Sequence, residues 1–80
     1  MKRIKIRGAT WKIARERPPS NFCTGLCDYD SRTIYIRPNC PDPIGTVIHE
    51  LLHANFPDIE EEAIEEAEES IVKALEIIGA

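Results

Sequence analysis

The chain predicts an α+β fold: a small antiparallel β-sheet followed by two α-helices, in a single domain spanning residues 1–80. Two observations carry this. Apolar residues alternate with polar ones in the first half of the chain, the period of half-buried strands. After the proline cluster at Pro38, Pro41 and Pro43 the apolar spacing changes to that of helices, and the two periodic stretches are separated by Pro57. Strands followed by helices give a sheet covered by helices on one side.

"KRIKIRG" opens the chain, with Ile4 and Ile6 on one face and Lys5 and Arg7 on the other, a strand with one dry side. "ATWKIARE" continues with Trp11 and Ile13 in alternation, so Gly8 between the two runs marks a tight turn or a bulge. "RPPSN" at residues 17–21 is a loop, because neither proline can continue a ladder. "RTIYIR" at residues 32–37 is the clearest strand: Ile34 and Ile36 point one way, Thr33, Tyr35 and Arg37 the other. Asp42 followed by Pro43 is a capping carboxylate with proline in the first turn, and starts a helix that runs to about Asn55 before Pro57 stops it. Asp58 and Glu61, three residues apart, pair as a capping box for the second helix, whose apolar face is Ala63, Ala67, Ile71, Ala74, Leu75 and Ile78. Gly79 is placed to end it.

At 42% hydrophobic and 30% charged residues the composition is that of a folded domain. A net charge of −4 and a pI near 5.1 speak against nucleic acid as a partner. No run is long and apolar enough to cross a membrane. Lys2 and Arg3 are not followed by an apolar stretch, so no signal peptide is expected. The three cysteines, Cys23, Cys27 and Cys40, are an odd number that suits free thiols in a reducing cytoplasm better than a disulfide framework.

The chemistry concentrates in "GTVIHELLHANFPDIEEE" at residues 45–62. Both histidines of the chain are here, His49 and His53, with Glu50 directly after the first. At about 100° per residue the two imidazoles lie about 40° apart and one turn from each other, so they can meet one ion. Glu50 beside them can reach a water at that ion without being a ligand. Two nitrogen ligands and a general base are what a metal-dependent hydrolase needs. Ile44, Val47, Ile48 and Leu51 cluster on the opposite side and can bury against the sheet. Gly45, four residues before His49, leaves room for a strand or substrate to approach the histidine face.

Three protein ligands plus a water are usual in a catalytic zinc site, and the chain has no third histidine. A carboxylate must serve. Seven glutamates lie between Asp58 and Ser70. Relative to the apolar face named above, Glu60 lies near the centre in the first turn, Glu61 about 100° away at the edge, and Glu62 and Glu65 about 140–160° away. The seam between the helices therefore favours Glu61 or Glu60. Glu65, Glu66, Glu68 and Glu69 are read as solvated surface.

"GLCDYDSRTIYIRP" followed by "TVIHELLHANFPDIEEEAIEEA" resembles the small zincin-like metallopeptidases often encoded by phages, distant relatives of the SprT-like and ImmA/IrrE-type zinc peptidases. The resemblance covers the chain from Gly25 onward. It implies a minimal zincin-like domain with one Zn2+ held by His49, His53 and an acidic residue of the following helix, for which the alignment of the paired glutamates selects Glu61, with Glu50 activating the water. It also implies that residues 32–37 form the edge strand over the cleft, where an extended peptide adds as a further strand. The chain has little beyond the core sheet and two helices, so it lacks the second substrate-binding wall of the larger relatives.

The function expected is thus a zinc-dependent metalloendopeptidase acting on a peptide or protein as a monomer, in a host cytoplasm if phage-encoded. The alternative is a non-catalytic module stabilised by zinc, binding a host protein through its edge strand. Tyr35 and Arg37 are candidates for substrate contact, and Tyr29 is a second possible phenolic donor to an oxyanion.

Overall fold

A computed structural model of the chain describes residues 2–19 and 24–80. Its elements in order are β1 (Lys2–Ile6), β2 (Ala9–Ala14), β3 (Gly25–Asp28), β4 (Thr33–Ile36), α1 (Pro43–Asn55) and α2 (Glu61–Ile78). This is the α+β class, strands first and helices after.

β1 and β2 form an antiparallel hairpin in register Ile4↔Trp11 and Ile6↔Ala9. Arg7 and Gly8 make its two-residue turn, both at positive φ (50° and 81°), the mirror-image turn whose twist matches that of the strands. Gly8 is therefore a turn and no bulge. A strand absent from the sequence-based reading is β3. "GLCD" carries no alternation, yet it pairs antiparallel with β4 through Leu26↔Tyr35 and Cys27↔Ile34. The Asp28 carboxylate accepts from the backbone N–H groups of Asp30 (3.1 Å) and Ser31 (3.4 Å), which shapes the turn into β4.

The strand order is β1-β2-β4-β3. β4 runs parallel to β2 (Ile13↔Ile34), so the sheet is mixed where an antiparallel one is expected. The cause is β3. It reverses the chain between β2 and β4, and the chain then returns to the inner side of β3. For the same reason β4 is an interior strand, and the expectation that residues 32–37 form the edge is corrected: β3 is the edge.

The core is Ile6, Trp11, Ile34, Ile36, Cys40 and Ala54, with Ile13, Cys27, Val47 and Leu51 packed against it. α1 lies over β3 and β4. Ile4 remains exposed on β1, at the far edge of the sheet. The Asp42 carboxylate caps α1 by accepting from the Gly45 N–H (3.1 Å), with Pro43 in the first turn. The buried side of α1 is Val47, Leu51 and Ala54. Ile44, expected there, is 57% exposed, because a cavity lined by Ile13, Ile36, Ile44 and Val47 opens between the first turn of α1 and the sheet.

α2 departs further. It starts at Glu61 with Glu60 as an extended capping residue and no side-chain cap, so Asp58 and Glu61 do not form a capping box. Asp58 lies in the turn after Pro57, before the helical hydrogen bonds begin. Ile64 is its one fully buried residue (1% exposed), while Ala63, Ile71, Ala74 and Ile78 are exposed. Small alanines contribute little apolar area, so the bulkier ridge of Ile64, Val72 and Leu75 turns inward and the helix is rotated by roughly one residue's angle, ~100°. Gly79 ends it at φ 79°, with Ala80 N–H donating to Leu75 O (2.9 Å). No helix among the described residues is long and apolar enough to cross a membrane.

Candidate metal centre

The rotation of α2 decides which carboxylates meet the histidines. Glu61 and Glu68 are seven residues apart, within about 20° of each other around the helix, and both face α1. His49 Nε2 lies 2.7 Å from Glu61 Oε1, and His53 Nε2 lies 3.0 Å from Glu61 Oε2. The two Nε2 atoms are 3.3 Å apart. One donor atom from each of His49, His53 and Glu61 thus falls within 4.8 Å of the others. Two nitrogens each about 2.0–2.1 Å from one tetrahedral ion are about 3.3–3.4 Å apart, so the imidazole spacing already suits it. Two neutral imidazoles and one carboxylate are also a donor set of catalytic zinc sites, and they leave a position open. The residues present fit the ion. Of the glutamates weighed from the sequence, the structure brings Glu61 to the histidines; Glu60 caps the helix, and Glu62 and Glu65 are exposed.

Glu68, expected from the sequence to be solvated surface, joins this group. Its Oε1 lies 2.9 Å from His49 Nδ1, the ring nitrogen opposite the one facing Glu61. Its side chain is 26% exposed, against 55% for Glu61. Gly45 explains how α2 comes so near: a Cβ there would overlap the Asp42 carboxylate and lie 2.9 Å from Glu68 Oε2. The close neighbour of Gly45 is thus α2 and the helix cap, where a strand or substrate is expected from the sequence.

Burial opposes a charge on His49, but the Glu68 hydrogen bond and the fields of Glu50, Glu61 and Glu68 together outweigh it and hold the pKa above its ordinary value. Glu50 is raised chiefly by burial, partly offset by the two histidines and by the Cys27 N–H, which donates to its carboxylate. A carboxylate with a raised pKa beside a candidate ion suits a general base.

Glu50 owes its position to Gly25. A Cβ on Gly25 would overlap the Thr46 methyl and lie 3.2 Å from Tyr35 O and 3.4 Å from Glu50 Cγ. Without that Cβ, α1 rests directly on β3, and Glu50 reaches the edge strand. A cleft of about 240 Å³ opens here, lined by Leu26, Cys27, Tyr29, Glu50 and His53. The Tyr29 hydroxyl donates to His53 O (2.8 Å) and its ring packs edge-on to Trp11, with centroids 6.0 Å apart. Burial and the neighbouring Cys27 thiol push the Tyr29 pKa up to about 12, so it remains a phenol and a donor. Burial likewise pushes the Cys27 thiol up to about 11. Cys27 and Cys40 are free thiols, Cys40 within 3.3 Å of Thr46 Oγ1; Cys23 lies outside the described residues.

The two substrate candidates are elsewhere. Tyr35 alternates with Ile34 and Ile36, which face the α1 side of the sheet, and so points to the other face. Arg37 follows β4, its N–H donating to Thr24 O (2.8 Å), outside the residues that line the cleft. Tyr29, in the turn after β3, occupies the place at the cleft that Tyr35 is expected to fill.

Comparison of the chain with family models, with curated proteins and with solved structures finds no match in any of the three. The functional reading rests on the residues themselves.

Proposed function

We propose that the chain is a minimal zinc-dependent metallopeptidase, with His49, His53 and Glu61 as ligands and Glu50 as general base. The observation that carries the reading is the placement of Glu50: on the same helix as two convergent imidazoles, half-buried, and turned to a cleft lined by β3 residues Leu26 and Cys27. A bound zinc ion supplies Lewis acidity toward a water molecule and toward the carbonyl of the scissile bond. Glu50 takes the proton of the attacking water and passes it to the leaving nitrogen. Tyr29 forms the cleft wall, fixed there by donating its hydroxyl hydrogen to His53 O. Thr24 O is bonded by Arg37, so the alternation of the antiparallel ladder turns the backbone groups of Gly25 and Cys27 away from β4. The Cys27 N–H is taken by Glu50, so an extended peptide would pair with the Gly25 N–H and the Gly25 and Cys27 carbonyls, which makes a peptide or unfolded protein segment the substrate class. The free thiols suit a reducing cytoplasm.

The test is cleavage of a broad peptide library by zinc-loaded protein, with Glu50→Gln as control. Loss of general-base catalysis costs about 10²–10⁴ in rate. If wild type and Glu50→Gln are equally inert, the enzyme reading is wrong.

A further inference from the structure

We propose that Glu68 and Gly45 form a matched pair that orients His49: Glu68 is a positioning residue, and Gly45 is the notch that admits its carboxylate. The inference rests on the reading of His49 as a metal ligand and goes beyond it to how that ligand is prepared.

Two separate observations meet here. Glu68 Oε1 is 2.9 Å from His49 Nδ1. Glu68 Oε2 occupies the space a Cβ on Gly45 would need, at 2.9 Å, closer than real Cβ atoms come to a neighbour. Each oxygen of one carboxylate is thus accounted for, one by the imidazole and one by the bare backbone a turn earlier on α1. A Cβ at residue 45 would press on the Glu68 carboxylate, and also overlap the Asp42 carboxylate that caps α1.

The chemistry of the contact is one-sided. An ionised carboxylate only accepts hydrogen bonds, so it can meet Nδ1 only when Nδ1 carries the proton. A neutral imidazole protonated there has its lone pair on Nε2. In this chain Nε2 is the atom that faces His53 Nε2 and Glu61. Glu61 Oε1, 2.7 Å from Nε2, asks for a proton on that side too, so Glu68 fixes the ligating tautomer once Nε2 is given to an ion, and it holds the ring plane toward the centre. Glu61 meets His53 at Nε2, and among the described residues no ion pair reaches its Nδ1; the His53 backbone O accepts from Tyr29. His49 is the histidine prepared from outside.

The experiment uses the full chain and two readouts. Zinc affinity is measured by competition with a chromophoric chelator for wild type, Glu68→Ala, Glu68→Gln, Gly45→Ala and the double variant Gly45→Ala/Glu68→Ala. The His49 tautomer is read by long-range ¹H–¹⁵N NMR at about pH 9, well above the ordinary histidine range, in metal-free protein carrying Glu61→Ala, which removes the rival acceptor at Nε2. Glu68→Ala is expected to weaken zinc binding about 10- to 100-fold, the usual effect of losing such a partner. Glu68→Gln falls between, since its amide oxygen still accepts. Measured in an Asp42→Ala background, which removes the overlap with the helix cap, Gly45→Ala weakens binding in the same direction although alanine is the better helix former, and adding Glu68→Ala gives no more than the loss from Glu68→Ala alone, because both changes then remove one contact. In that Glu61→Ala background His49 carries its proton on Nδ1, and adding Glu68→Ala or Gly45→Ala moves it toward Nε2. Additive losses in the double variant, or a tautomer that neither variant moves, would overturn the pairing. If the wild type binds no zinc, the metal-site reading fails by itself, and the NMR arm still decides whether Glu68 and Gly45 orient the ring.

Discussion

Removing the ion should loosen α2 and lower the melting temperature by a large step. Apart from the site, α2 has one fully buried side chain, Ile64. The His49–Glu61, His53–Glu61 and His49–Glu68 contacts are partly exposed, and such pairs contribute about 0–1 kcal/mol each. An ion shared by His49, His53 and Glu61 binds the folded state alone, because those residues are gathered from both helices. At free zinc about 1,000-fold above its dissociation constant it stabilises the fold by about 4 kcal/mol. For 80 residues the unfolding entropy is about 170 cal/mol/K, so each kcal/mol moves the midpoint by about 6 °C. The expected rise on zinc loading is therefore about 24 °C. Thermal unfolding followed by circular dichroism, in chelator and in buffered zinc, measures it, and His53→Ala should abolish most of the shift. Equal midpoints in chelator and zinc, or a full shift retained by His53→Ala, would show that the cluster does not hold the ion that joins the helices.

Four further outcomes are expected. In metal-free protein, the raised His49 pKa means its interactions stabilise the fold fully below the ordinary histidine pKa and are lost as pH rises through the folded value; denaturant unfolding in chelator should show the wild-type advantage over His49→Gln shrinking from about pH 6 to 9, and a growing advantage refutes the sign. Zinc affinity should rise over the same interval, because the ion displaces that proton; a chelator competition series across pH reads it. Gly25→Ala should cost about 1–3 kcal/mol in denaturant unfolding and lower peptidase activity further, since the new Cβ drives α1 and Glu50 off β3. Ile64→Ala should cost about 2–5 kcal/mol and weaken zinc binding by undocking α2, whereas Ile78→Ala, at an exposed position, should change neither.

How far the sequence discloses this molecule depends on how local each signal is. α1 is legible because its cap, its proline and its apolar period all fall within the helix, and the structure has Asp42 capping it as expected. His49 and His53 follow from that helix alone. β3 is not legible: "GLCD" has no period, and the strand exists through its pairing with β4 and the contact of Gly25 with α1. Missing β3 is also what makes the sheet antiparallel and β4 an edge in the sequence-based reading. For α2 the difficulty is angular. Its glutamates are chemically identical, and only their azimuth separates a ligand from solvated surface. Reading the alanine stripe as the inner face misplaces that azimuth by roughly one residue, but Glu68 shares the azimuth of Glu61 to within about 20°, so the seven-residue spacing is its signal, and taking the acidic run as solvated surface passes over it.

The arrangement around Glu50 bears on whether the ion does chemistry or only joins two helices. A structural zinc site closes its coordination with four protein donors. Among the described residues three converge here, and the nearby Glu68 is engaged on the far side of the His49 ring. A joint between α1 and α2 would gain nothing from Glu50, which holds a raised pKa at some cost in burial and contacts β3, not α2. Gly25 and the Cys27 N–H both serve to bring that carboxylate to the strand edge. The features that stabilise the helix pair lie on the Glu61–Glu68 side of the histidines. Those that would handle a peptide and a proton lie on the opposite side, around Glu50, Tyr29 and β3. Variants on the two sides should therefore separate: Glu68→Ala acts on metal affinity and stability, and Glu50→Gln acts on turnover with zinc still bound.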